Sequence, residues 1–301
     1  MSLSLRQIRY FLAAAEKGQV SLAAASLNVS QSTVTGALQQ LELDLGVSLF
    51  RRLPSGVALT AEGSRFLTHA RNVMAAVTAA QRAPLTEDRA LRGVVRVAVT
   101  YTVAGYFLPP HYARFARVYP DIRVELTELP RPALEEALKN DAFDLAVMLV
   151  SNLQDQAALA SEILFRSRRR LWLPVEHPLL SAESVGFADV ARVPYVMLTV
   201  DEANQTASKY WRPTGLNPNV IFVTSSVEAV RSMVADGLGV TILSDMVYRP
   251  WSLEGQRIEQ RNLATPVPTM DVGLAWRRGK KLGSAARAFA DFLSLAVNRG
   301  S

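Results

Sequence analysis

No cysteine occurs anywhere in this chain of 301 residues. Disulfide frameworks, thiolate metal sites and thiol nucleophiles are therefore excluded. Histidine is scarce as well: His69, His111 and His177 stand far apart, without the spacing of metal ligands. No apolar run approaches the ~18 residues that a membrane-spanning helix requires. The opening MSLSLRQIRYF lacks a basic stretch followed by an apolar one, so no secretory leader is expected. A cytoplasmic location without a membrane partner follows by default. Catalytic signatures are missing too. There is no G-x-S-x-G, no Walker loop and no complete G-x-G-x-x-G; Gly237-Leu238-Gly239 lacks the third glycine and reads as a tight helix-to-strand turn. These absences argue against an enzyme and against a cofactor.

What is present is ordinary in bulk. Hydrophobic residues make up 49%, and the length suits two or three domains with cores of their own. The net charge of +6 permits nucleic-acid binding without demonstrating it. The excess is spread along the chain, because Arg168-Arg169-Arg170 and Arg277-Arg278-Gly279-Lys280-Lys281 lie far from the N-terminus and read as solvated surface.

The segment Ser21 to Gly63 is more specific. Ala23, Ala24 and Leu27 share one face of a short helix, which Asn28-Val29-Ser30 interrupts. Val34, Leu38, Leu41 and Leu45 then recur at i, i+4, i+7 and i+11, the buried stripe of a second helix. Two helices joined by so short a turn make a helix-turn-helix, whose second helix enters the major groove of DNA. Ser30 is a suitable N-cap for it. Its outward face carries Gln31, Ser32, Thr33, Thr35 and Gln39, short or amide side chains able to reach base edges and phosphates. Glu42 and Asp44 would repel phosphate, so the N-terminal half should face DNA.

An Ala-rich helix pair alone would read as a small helical subdomain. The next residues shift the balance. Val47 to Arg52 and Val57 to Thr60 are apolar-alternating runs around a Pro54-Ser55-Gly56 turn, a β-wing. Arg51, Arg52 and Ser55 are its candidate phosphate contacts, since the arginine fork binds two oxygens at once.

With LRQIRYFLAAAEKG, SLAAASLNVSQSTVT, LQQLELDLGVSLFRR and VALTAEG in this order, Leu5 to Gly63 resembles the N-terminal domain of LysR-type transcriptional regulators. The length and layout of the remaining chain fit the same family. Ser32, Thr33, Gly36 and Leu22 depart from its usual residues. Gly36 weakens the second helix by roughly 0.5–1 kcal/mol relative to alanine and removes one DNA contact. The resemblance implies a regulator that binds operator DNA, is modulated by a small organic acid, and forms a homo-oligomer, either dimer or tetramer. It also implies an N-terminal winged helix-turn-helix with a long linker helix, followed by an α/β domain of two Rossmann-like, periplasmic-binding-protein-like subdomains.

The expected boundaries are 1–60 for the DNA-binding domain, 61–84 for the linker helix, 85–92 for a hinge and 93–301 for the effector domain. Within the last, subdomain I takes about 93–164 and 266–301, and subdomain II about 165–265. Thr60 and Glu62 open the linker helix, and Pro84 ends it. Phe66, Ala70, Val73, Val77 and Ala80 form a heptad seam along it, suited to pairing with a second copy. Beyond Arg92, apolar strands alternate with helices, including one helix over 103–118. This pattern predicts parallel sheets covered on both faces.

Ligands in such sheets bind at the carboxyl ends of strands. The best anchor is Thr100-Tyr101-Thr102, after the strand ending at Val99 and at the start of the next helix, where hydroxyls and free N–H groups suit an anion. N-capping by one threonine explains it equally well; the family, which commonly places a Ser or Thr here against the effector's carboxylate, favours the ligand role. Met148, Leu149, Thr199, Asp201 and Thr224 are further wall candidates. Tyr101 and Met148 would suit an aromatic or branched acid. The rival functions are a solute-binding protein and an α/β enzyme with a helical dimerisation arm.

Overall fold

The computed structural model describes residues 3–53, 56–82 and 91–297. The chain divides into two compact units: the chain up to Ala90 with residues from Ser294 onward, and Leu91–Leu293.

The first unit opens with α1 (Leu5–Lys17). Ser4 caps it reciprocally: its Oγ accepts from the Gln7 N–H and its own N–H donates to Gln7 Oε1. α1 stops at Gly18, whose φ of 66° is left-handed. α2 (Val20–Ser26) and α3 (Gln31–Leu45) follow, with Asn28 at φ 54° turning the chain between them. β1 (Phe50–Leu53) and β2 (Gly56–Leu59) pair antiparallel as the expected wing. Thr60 then caps α4 (Ala61–Arg82) by accepting from the Gly63 N–H at 2.9 Å, while its hydroxyl donates to the Ser48 carbonyl at 2.7 Å.

Phe11 lies at the centre of this unit's core, 5.2 Å from the Phe50 ring and 4.9 Å from the Phe66 ring. Phe66 and the buried Ala70 thus pack on their own domain, so the expected heptad seam is divided. The later seam residues differ: Val73 is exposed and Val77 half-buried. The Ala80 side chain, Pro84 and the hinge residues before Leu91 lie outside the described residues, as does Ser55.

The second unit contains two sheets of like topology. In the first, β3 (Gly93–Val99) runs parallel to both β4 (Ile122–Glu128) and β5 (Leu145–Leu149). β12 (Met270–Arg277) then pairs antiparallel with β5, and β6 (Leu159–Ser167) antiparallel with β12. The order is β4-β3-β5-β12-β6. In the second, β8 (Pro194–Leu198) runs parallel to β9 (Asn219–Thr224), and β7 (Arg169–Pro174) lies antiparallel between β10 (Thr241–Ser244) and β11 (Ile258–Arg261). Val196 N–H donates to the Val240 carbonyl at 2.9 Å and Val240 N–H to the Pro194 carbonyl at 2.8 Å, which joins β8 to the start of β10. The combined order β9-β8-β10-β7-β11 repeats the first sheet: three parallel strands, one strand reversed against them, and an edge strand that pairs antiparallel with the reversed one.

The sheets are therefore mixed rather than parallel. The reason is connectivity. The chain leaves the first sheet through Arg168, between β6 and β7, and returns to it as β12, so β12 runs against the other strands of its sheet, as β7 does in the second. β6 escapes the sequence pattern because it is an edge strand with Glu162 and Arg166 among its residues.

Between strands run α5 (Tyr101–Tyr106), α6 (Leu108–Val118), α7 (Arg131–Lys139), α8 (Phe187–Ala191), α9 (Ala203–Trp211), α10 (Val227–Ala235) and α11 (Ser284–Val297). The single helix expected over 103–118 is two helices meeting at Phe107. Pro109 and Pro110 have no N–H for the carbonyls four residues back, so they start a new helix in its first turn instead of continuing the old one.

Gly63 limits how closely α4 can sit against the wing, because an added β-carbon there would run into the Leu49 carbonyl. Gly63→Ala is expected to destabilise the N-terminal unit by about 1–3 kcal/mol through overpacking. Denaturant unfolding followed on residues 1–90 would show it; an unchanged midpoint would mean the backbone shifts freely.

Candidate functional site

The first site is the outward face of α3. Ser30 Oγ accepts from the Thr33 N–H at 3.1 Å and lies 2.9 Å from Ser32 Oγ and 2.7 Å from Thr33 Oγ1. The hydroxyls at the helix start are therefore held as a cluster. Gln31, Ser32, Thr33 and Gln39 are exposed and Thr35 is half-buried. The exposed Gly36 has open space where a side chain would stand. Glu42 is not a solvent acid as its position in the sequence implied. Its Oε1 accepts from the Leu49 N–H at 2.6 Å and the Phe50 N–H at 3.0 Å, fastening the wing to the recognition helix. Arg51 and Arg52 are exposed on β1 and, as neighbours in a strand, point to opposite faces of the wing.

The second site lies where each sheet of the second unit sends its helices to opposite sides, at the carboxyl ends of β3 and β8. β3 delivers Thr100 and Thr102; β8 delivers Thr199 and a turn over Val200–Glu202. The two meet: Thr102 N–H donates to Asp201 Oδ2 at 2.7 Å. Thr100 is buried, and its Oγ1 has no hydrogen-bond partner among the described residues. Asn152 Nδ2 donates to the Asp201 carbonyl at 2.7 Å, and Arg131 Nε lies 3.2 Å from Glu202 Oε1.

A separate tie crosses between the same subdomains. Tyr106 OH donates to Glu228 Oε1 at 2.8 Å, and Glu228 Oε2 accepts from Arg231 at 2.6 Å. Arg231 is buried, donates also to the Val247 carbonyl, and sits over the Trp172 ring at 5.9 Å. Burial, and after it the bond to the Glu228 carboxylate, pushes the Tyr106 phenol up to about 12, so it remains a donor at neutral pH.

Residues 5–64 match the bacterial regulatory helix-turn-helix protein model of the lysR family, and residues 88–296 match the LysR substrate binding domain. The chain belongs to the LysR family of transcriptional regulators. Among its relatives is the RuBisCO operon transcriptional regulator of Allochromatium vinosum, 29% identical over 97% of this chain and 96% of the relative. The DNA-binding transcriptional dual regulator OxyR of Escherichia coli is 26% identical over 96% of this chain and 94% of its own length. A crystal structure of HinK, a LysR family transcriptional regulator from Pseudomonas aeruginosa, shares 27% identity, covers 97% of this chain and 98% of that one, and superposes with a TM-score of 0.63.

In this LysR-type regulator the candidate effector residues do not all fall together. Thr102 and Asp201 are joined through the bond just described, and the buried Thr100 stands two residues before Thr102. Tyr101 is exposed. Thr199 and Thr224 bind each other, with the Thr199 N–H and hydroxyl both on the Thr224 carbonyl, and so tie β8 to β9. Met148 and Leu149 are buried, and Met148 packs with Leu134 and Leu138 as core rather than wall. The reason is that β5 is central in its sheet, covered on both faces. Asn152 and Arg131 carry no local signal of this placement, since nothing near them in the sequence shows which loop the far subdomain brings to them.

Arg52→Ala in the regulator is expected to weaken DNA binding across all sequences and to lower the salt slope by about one unit. Affinities at several salt concentrations measure this; an unchanged slope would place Arg52 off the phosphates.

Proposed function

We propose that this regulator binds double-stranded operator DNA through Gln31, Ser32, Thr33, Thr35 and Gln39 of α3 and Arg51, Arg52 and Ser55 of the wing. It acts in the cytoplasm, as a homo-oligomer held through α4, and its binding responds to a small anionic organic effector rather than to catalysis. The effector sits between the subdomains at Thr100, Tyr101, Thr102 and Asp201, with Thr199 and Thr224 behind. One observation carries the anion: a carboxylate, that of Asp201, already rests on the Thr102 N–H, near a Thr100 hydroxyl that has no hydrogen-bond partner among the described residues. Those groups donate to a carboxylate oxygen, and a charge-assisted hydrogen bond of this kind contributes roughly 1.5–3 kcal/mol. The peroxide response named for some relatives, the hydrogen peroxide-inducible genes activators, does not transfer through thiol oxidation, because this chain has no cysteine to oxidise.

A gel shift against the DNA upstream of its coding region, with a thermal-shift screen of small organic acids, tests this reading as a whole. Retardation together with one stabilising acid is the expected result. No retardation would overturn the operator binding proposed for this DNA.

Two substitutions test its parts. Thr100→Val keeps the shape and deletes the buried hydroxyl; affinity for the acid found should fall about tenfold or more, with DNA binding in its absence intact. Titration calorimetry giving equal affinities would move the site. Val73→Asp with Val77→Asp places charges on the free part of the α4 seam. Sedimentation should then show loss of the dimer along with loss of tight operator binding. A double variant that binds like the parent would put the dimer contact elsewhere.

A further inference from the structure

Asp201 and Glu202 both lie in left-handed backbone, at φ 49°, ψ 40° and φ 58°, ψ 31°. Neither is glycine, and such consecutive strain persists only where surrounding contacts impose it. The contacts come from the other subdomain. Thr102 N–H holds the Asp201 carboxylate, the buried Asn152 holds the Asp201 carbonyl, and Arg131 holds the Glu202 carboxylate. These partners are fixed in advance. Arg131 is backed at 3.0 Å by Glu135, itself buried and anchored by the Gln154 and Asp155 N–H groups. The rigid partner is thus subdomain I, and the turn of subdomain II bends to meet it.

We propose that Val200–Glu202 is a self-anion latch. Without ligand it closes the cleft by giving subdomain I the carboxylates that an incoming anion would supply, and an anionic effector acts by displacing it. The displacement rests on the effector reading above; the closure does not. The Tyr106–Glu228–Arg231 tie uses none of the turn's residues, so the subdomains keep that second fastening when the latch opens.

The test is hydrogen–deuterium exchange on the full chain, without ligand, followed over Thr100–Phe107. Asp201→Gly relieves the strained φ and removes the carboxylate, so it should fold and lose the latch; Glu202→Gln checks the second carboxylate. The Thr102 amide should exchange at least tenfold faster in Asp201→Gly and by a smaller factor in Glu202→Gln. Parent-like protection in both would overturn the latch, provided operator binding shows both variants folded. A second arm adds sodium acetate, benzoate or succinate. Displacement is upheld if a carboxylate restores protection in Asp201→Gly at a concentration at least tenfold below that needed to perturb the parent. Equal concentrations overturn it. Protection by none, with fast exchange in the variant, upholds closure and overturns the anionic effector.

Discussion

The arrangement of the second unit follows from the double passage of its chain. One strand leaves each sheet and another returns, and the returning β12 lies between β5 and β6 rather than at an edge. Neither sheet is complete until the chain has visited both. Each keeps three parallel strands with a single place where helices part to opposite sides. Because the crossings link the sheets, those two places come together, and the bond from Thr102 to Asp201 is the contact between them. The unpartnered Thr100 hydroxyl, the strained turn and the Arg131 pairing are all consequences of that juxtaposition.

Charge is used differently in the two units. On the DNA-binding surface the arginines of the wing are exposed, where long-range attraction to phosphate is available and pairwise energies are small. The one carboxylate with a clear structural task there, Glu42, is turned inward onto backbone N–H groups of the wing. Between the subdomains, charge is paired and largely removed from water: Arg131 of subdomain I lies 3.2 Å from Glu202 of subdomain II. A buried pair that loses one member leaves the other uncompensated, so such contacts specify one relative placement of the subdomains more than they add stability.

The linker helix shows the same economy of surface. Phe66 and Ala70 complete the core around Phe11, and only beyond them does the apolar stripe of α4 become available to a second chain. One helix thus serves the core near its start and carries the exposed Val73 further along.

Local patterning by itself determined the helix-turn-helix, the wing, the caps at Ser4, Ser30 and Thr60, and the alternation of strands and helices after Arg92. Each depends on residues within a few positions of one another, where propensity, periodicity and turn chemistry act. Thr100, Thr102 and Asp201 were legible as strand-end residues for that reason. Only the tertiary structure decided that β12 and β6 run antiparallel, that the prolines after Phe107 divide a helix, that Met148 is core, and that the Thr102 N–H already holds a carboxylate. Strand direction and the occupancy of a donor are settled by groups some hundred residues apart in the chain, brought together by burial and by the crossing of the chain, and no local period records them.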